Sequence, residues 1–177
     1  MTWDAYNRRT TALREVLTIM DRRRDLTAND LLNRVDPSRE AFETEDQLLL
    51  AAQFAWFQRL SGALDRSVEG AATTPEASAS GAWIGLAAEM PGARALLDAH
   101  LDSPALAKGL ANEQIMMAAV SGVPMHHPDA AAHGERIIAA ARAKAIYPVI
   151  ADTDSTSTDA AGGFTGLVSR LRSALAA

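Results

Sequence analysis

The chain contains no cysteine. That absence excludes a disulfide framework, a zinc ribbon, an iron–sulfur centre and thiol nucleophilic catalysis. Aromatic residues are scarce, and no stretch of useful length alternates apolar and polar residues as a half-buried strand would. Lysine is far outnumbered by arginine, a bias expected of a GC-rich bacterial genome. No apolar run approaches the length of roughly 18 residues that a membrane span requires. The opening Met1-Thr2-Trp3-Asp4 lacks the basic-then-apolar order of a secretory signal. A net charge of -5 leaves no basic excess for binding a phosphate backbone. These absences point to a soluble, cytoplasmic protein, with neither nucleic acid nor membrane expected as a partner.

About a fifth of the residues are alanine, the strongest helix former. With 177 residues the chain is long enough to bury a substantial core without a metal or disulfide staple. The expected fold is therefore all-α, an irregular bundle of six to eight helices. A single helical domain is expected over residues 1–150, with a candidate joint at 69–75, then a flexible linker over 151–163 and a tail helix over 164–177.

The first helix is expected over residues 2–24, with Trp3, Tyr6, Thr10, Leu13, Leu17 and Met20 as a seam at alternating three- and four-residue spacing that Val16 and Ile19 widen to suit packing in a bundle. That seam could pack within the chain or make a homodimer. A capping box, Thr27 with Asp30, opens a short helix that Asp36-Pro37 should end. A second box, Thr44-Glu45-Asp46-Gln47, opens a helix to about residue 68. Its apolar residues lie nearly all round the first half, so it should be the most buried element. Thr74-Pro75-Glu76 reads as cap, first-turn proline and dipole-matched acid. Further helices are expected through Leu96, Leu97 and Leu101, from Ser103-Pro104 to Gly122, and from Pro128 to Pro148.

Four features could carry chemistry. His126, Asp129 and His133 crowd one loop and first helical turn, and imidazole and carboxylate ligands suit zinc, iron or manganese. A metal-dependent helical enzyme is the reading they support, although no HExxH or ExxH pair accompanies them. No GxSxG elbow, phosphate-binding loop or dinucleotide fingerprint is present, so neither a catalytic constellation nor an organic cofactor is expected. The helices near 27–35 and 44–66 could form a helix-turn-helix, with Arg22, Arg23 and Arg24 on phosphate. The second helix, however, begins Glu45-Asp46-Gln47-Leu48-Leu49, which is acidic and then apolar where base contacts need Arg, Lys, Asn or Gln. Trp56, Phe57 and Trp83 could line an apolar pocket, although aromatics in bundles more often fill the core.

The fourth feature is the tail. Residues 152–159 carry no apolar side chain and read as a tether. Phe164, Leu167, Val168, Leu171 and Leu175 then recur at helical spacing, the form in which a chain offers a helix to a partner's groove. The final Ala174-Leu175-Ala176-Ala177 resembles the Ala-Leu-Ala-Ala ending of the bacterial trans-translation tag. That resemblance implies recognition by a AAA+ protease of the Clp type, and nothing about the activity of the body. The reading that follows is a non-enzymatic regulatory or protein-interaction module, acting through the tail helix or a face of the bundle. The metal-dependent enzyme and a DNA-binding regulator are its alternatives.

Overall fold

The computed structural model describes residues 3–69 and 74–145, and all of these elements are helical. In chain order they are α1 (Trp3–Arg22), α2 (Ala28–Arg34), α3 (Asp36–Ala41), α4 (Glu45–Glu69), α5 (Pro75–Glu89), α6 (Pro91–Asp98), α7 (Ala107–Val120) and α8 (Ala130–Lys144). No described residue lies in a strand, and no helix among them is long and apolar enough to cross a membrane.

Local chemistry sets most of the helix ends. The hydroxyl of Thr27 accepts from the Asp30 amide, while the Asp30 carboxylate accepts from the Thr27 amide and hydroxyl, so the capping box is complete. The Thr27 hydroxyl and amide, with Arg34 nearby, hold the Asp30 carboxyl below its ordinary value of 3.8. Because the folded value is depressed, this contribution to α2 is present above the ordinary value and is lost as pH falls through the folded one. Thr74 caps α5 through the Ala77 amide at 3.3 Å, ahead of Pro75. At the end of α7, the amide of Val123 reaches Ala118 O at 2.9 Å and that of Gly122 reaches Ala119 O at 3.1 Å. That Schellman pair needs a left-handed residue between them, which Gly122 supplies at φ 99°.

Several boundaries differ from the sequence expectation. Asp36-Pro37 ends α2 but also begins α3, because proline disfavours helix before it yet fits the first helical turn. Pro91 does the same between α5 and α6. Leu101 falls in a turn beyond α6, and Ser103-Pro104 forms a turn ahead of α7, which starts at Ala107. The second capping box is half made. Gln47 donates its amide to Thr44, but its side-chain oxygen accepts from Glu43 rather than from Thr44.

One hydrophobic cluster runs through helices on both sides of residues 70–73. Val16 and Met20 of α1, Trp56 and Leu60 of α4, Trp83 of α5 and Ile137 of α8 all belong to it. The buried face of α1 follows the expected stripe from Leu13 to Met20, where Leu13, Leu17 and Ile19 pack against the core, and departs from it at Trp3, Tyr6 and Thr10. Ala12, Val16 and Met20 are buried, whereas Trp3 and Tyr6 stand 74% and 55% exposed and stack on each other at 6.0 Å. The neighbours of α1 are α3 and α6, and their positions decide which face is covered.

Two glycines let helix backbones approach most closely. At Gly92 a side chain would meet Leu17 O at 2.5 Å, and its amide donates to Asp21 Oδ1 at 2.7 Å, so α1 caps the start of α6. At Gly134 a side chain would overlap the backbone carbonyl of Gln114, where α8 lies directly on α7. Gly134→Ala should therefore cost about 1–3 kcal/mol, as overpacking against a backbone that cannot swing away. Gly81→Ala, in α5 with open space around it, should instead stabilise by about 0.5–1 kcal/mol. Urea unfolding of the two variants measures both signs.

Candidate functional site

The histidine loop precedes α8 and is open to solvent. His126, His127 and Asp129 are exposed, and His133 is half-buried in the first turn of the helix. His127 Nδ1 takes the Asp129 amide at 3.2 Å, and Arg136 Nη2 sits 2.9 Å from His133 Nδ1. The structure thus pairs Asp129 with His127 and His133 with Arg136. Among the described residues, no three histidine, aspartate or glutamate side chains converge as a metal would require. An arginine beside His133 also opposes a cation there. The helix-turn-helix comparison fares similarly, because α3 intervenes and α4 presents exposed Glu45 and Asp46 in its first turn.

The densest chemistry lies in the interior, where the sequence reading had placed only packing. Glu113 of α7 is 3% exposed, and its Oε1 accepts from both tryptophan indoles, Trp56 Nε1 at 3.0 Å and Trp83 Nε1 at 2.8 Å. The rings meet edge to face, with centroids 5.7 Å apart at 70°. Arg94 of α6 is wholly buried against them, its guanidinium carbon 4.9 Å from the Trp56 ring centre and 5.5 Å from that of Trp83. Its Nη1 lies 3.5 Å from Glu113 Oε1, and its Nη2 lies 2.9 Å from Asp98 Oδ1. None of its nitrogens meets an acceptor in line, so the cation is held by charge and by ring faces. Arg142 of α8 closes the cluster, with Nε 3.1 Å and Nη2 2.9 Å from the same Asp98 oxygen. Two cations face two carboxylates, and the group is neutral as a whole.

The arrangement ties α4, α5, α6, α7 and α8 to one point. The sequence did carry a signal for it. Glu113 falls in the apolar stripe Leu110, Glu113, Met117, and Arg94 falls in Met90, Arg94, Leu97. A charge in a buried stripe needs a countercharge, and these two satisfy each other.

Beside this cluster, a cavity of about 170 Å³ opens between α7 and α8. Glu113, Gln114 and Leu110 line it from α7, Glu135, Ile138 and Arg142 from α8, and Leu101 from the preceding turn. It lies along the helix pair from the Gly134–Gln114 contact.

A different face of α7 borders an open groove of about 440 Å³ shared with α4. Leu50 and Phe54, one helical turn apart on α4, are 47% and 63% exposed there, and Phe57 is half-buried. Helix α4 packs against α1, α2, α5, α6 and α7, and this face of its apolar first half is left open. Ala105, Gly109 and Asn112 form the opposite wall, and Lys108 stands at the edge. Gln53 forms the floor, donating its amide to Leu106 O at 3.1 Å, and Gly109 leaves room for that side chain. Of the three aromatics weighed as pocket lining, Trp56 and Trp83 are core and Phe57 lines this groove. The tail residues Phe164, Leu167, Val168, Leu171 and Leu175 lie outside the described residues, as do the linker and the Ala-Leu-Ala-Ala ending.

The chain matches no family model, no curated protein and no solved structure.

Removing one member of the buried cluster strands the other charge. Glu113→Ala and Arg94→Met should each destabilise by about 3–5 kcal/mol. The double variant should lose much less than their sum, because neither charge then remains unpaired. A double-mutant cycle by denaturant unfolding checks this, and additive losses would show that the pair is not coupled.

Proposed function

We propose that this protein is a helical protein-interaction module whose docking surface is the groove between α4 and α7. The observation that carries the reading is the exposure of Leu50 and Phe54 side by side over a shaped apolar trough. Single exposed apolar side chains are ordinary, whereas a contiguous apolar hollow with a polar rim is characteristic of interaction sites. A larger hollow of about 570 Å³ beside α1 has Arg14, Asp21, Arg59 and Glu89 around it, which favours solvent there.

The occupant we propose is an amphipathic helix of a partner protein, carrying apolar anchors at helical spacing and a carboxylate near them. Leu50, Phe54 and Phe57 offer three contacts along one helix face, which suits anchors at i, i+4 and i+7. Lys108 meets no carboxylate among the described residues, so an acidic group on the occupant would complete it. The chain's own tail fits less well, since Arg170 and Arg172 flank its apolar stripe and would bring like charge to Lys108.

Selecting a displayed library of amphipathic helices against the full chain tests this. Binders should share an apolar stripe and an Asp or Glu, and Phe54→Asp should lower their affinity at least tenfold, about 1.4 kcal/mol. The melting temperature should not fall, because the side chain is already in water. Lys108→Glu should turn the preference toward basic helices. Binding that survives Phe54→Asp would place the interaction elsewhere. A dimer dissociated by Phe54→Asp would give the groove to a second copy instead.

A further inference from the structure

The cavity between α7 and α8 is separate from the groove and has different chemistry. Its floor is a carboxylate that is nine-tenths buried and only half used. All three groups that reach Glu113, the two indoles and Arg94, converge on Oε1. No hydrogen bond from any described residue reaches Oε2, and Glu113 lines the cavity. Glu113 Oε2 is not among the sealed polar atoms of the interior, so an oxygen that takes no donor from the protein is open to one that enters the cavity.

The rest of the lining says what kind of donor fits. Arg142 is committed to Asp98, and Arg94 is balanced by Glu113 and Asp98, which leaves the Glu135 carboxylate at the mouth as surplus negative charge. An anion would meet two carboxylates, so the cavity selects a cation. Leu101, Leu110 and Ile138 make the remaining wall apolar, which selects a cation with a hydrocarbon stem. The volume of 170 Å³ holds about five groups the size of a water molecule, at roughly 30 Å³ each. We infer that this cavity is a binding site for a small aliphatic primary amine in its ammonium form. The head's three donors go to Glu113 Oε2, the Gln114 side chain and Glu135, and a stem of three or four carbons lies on the apolar wall.

The two indoles bonded to Glu113 make the site visible. In proton–nitrogen correlation spectra of the labelled full chain, n-butylammonium chloride should shift the Trp56 and Trp83 indole signals saturably in the millimolar range. Trp3, exposed on α1, is the internal control and should not move. Sodium chloride at the same ionic strength and butan-1-ol, which has the stem without the charge, should leave the indoles in place. Glu135→Gln, a surface change that leaves the fold intact, should weaken butylammonium about threefold, the scale of a solvent-exposed charge pair. Glu113→Gln should abolish the response. No saturable shift overturns the proposal, as does an equal shift with butan-1-ol or sodium chloride, or an affinity unaffected by Glu135→Gln. Nα-acetyllysine methylamide, titrated alongside, separates two sources of the same head and stem. Tighter binding of the free amine assigns the cavity to a small molecule, and tighter binding of the blocked lysine overturns that in favour of a polypeptide side chain.

Discussion

A single carboxylate oxygen, Glu113 Oε1, organises the interior of this bundle. It receives the indole protons of Trp56 and Trp83 and faces the Arg94 guanidinium. The two indole donors and the cation come from α4, α5 and α6, so the geometry of one atom fixes four helices relative to each other. An apolar core can repack with small losses, but a buried charge tolerates few arrangements. The T-shaped tryptophan pair follows from this constraint. Both rings must present an edge nitrogen to one oxygen while each also turns its face to the same cation. Asp98 and Arg142 then extend the neutral group toward α8, where the cavity begins.

The helices themselves were largely legible in the sequence, because their ends are set by neighbours a few residues away. Thr27 with Asp30, Thr74 with Pro75, and Gly122 after α7 each announce a terminus through local hydrogen bonding or backbone geometry. What could not be read locally was which face each helix covers. Trp3 and Tyr6 keep the spacing of a seam, yet α3 and α6 lie against a different side of α1, so both rings are exposed. Phe54 has the same periodicity credentials as Trp56, and the positions of α5, α6 and α7 decide that one is solvent-facing and the other sealed. Periodicity specifies a helix and an apolar arc, and the tertiary neighbours choose the part of the arc that is used.

The site chemistry shows a similar division. The histidine loop was conspicuous because its residue types are rare and adjacent, but adjacency in sequence sent its side chains to different partners. The residues that do converge are far apart in the chain, Trp56 from Glu113 by 57 positions and Arg142 from Asp98 by 44. Each was individually visible as a charge or a large ring inside an apolar stripe. Their union was not, because it depends on how α4 to α8 are stacked. Close approach at Gly134 belongs to the same class, since a glycine in a helix discloses permissiveness and not the backbone that exploits it.

The depth of the Arg94–Glu113 pair also separates this protein's electrostatics into two populations. Exposed pairs such as Arg23–Asp25 and Arg59–Glu89 sit in the ion atmosphere, which at about 0.15 M salt screens charges over roughly 8 Å. Arg94 and Glu113 lie in the interior, 0% and 3% exposed, where dissolved salt screens a charge pair much less. Changes in ionic strength therefore act first on the exposed pairs at the periphery of the bundle and least on the pair that holds its central helices together.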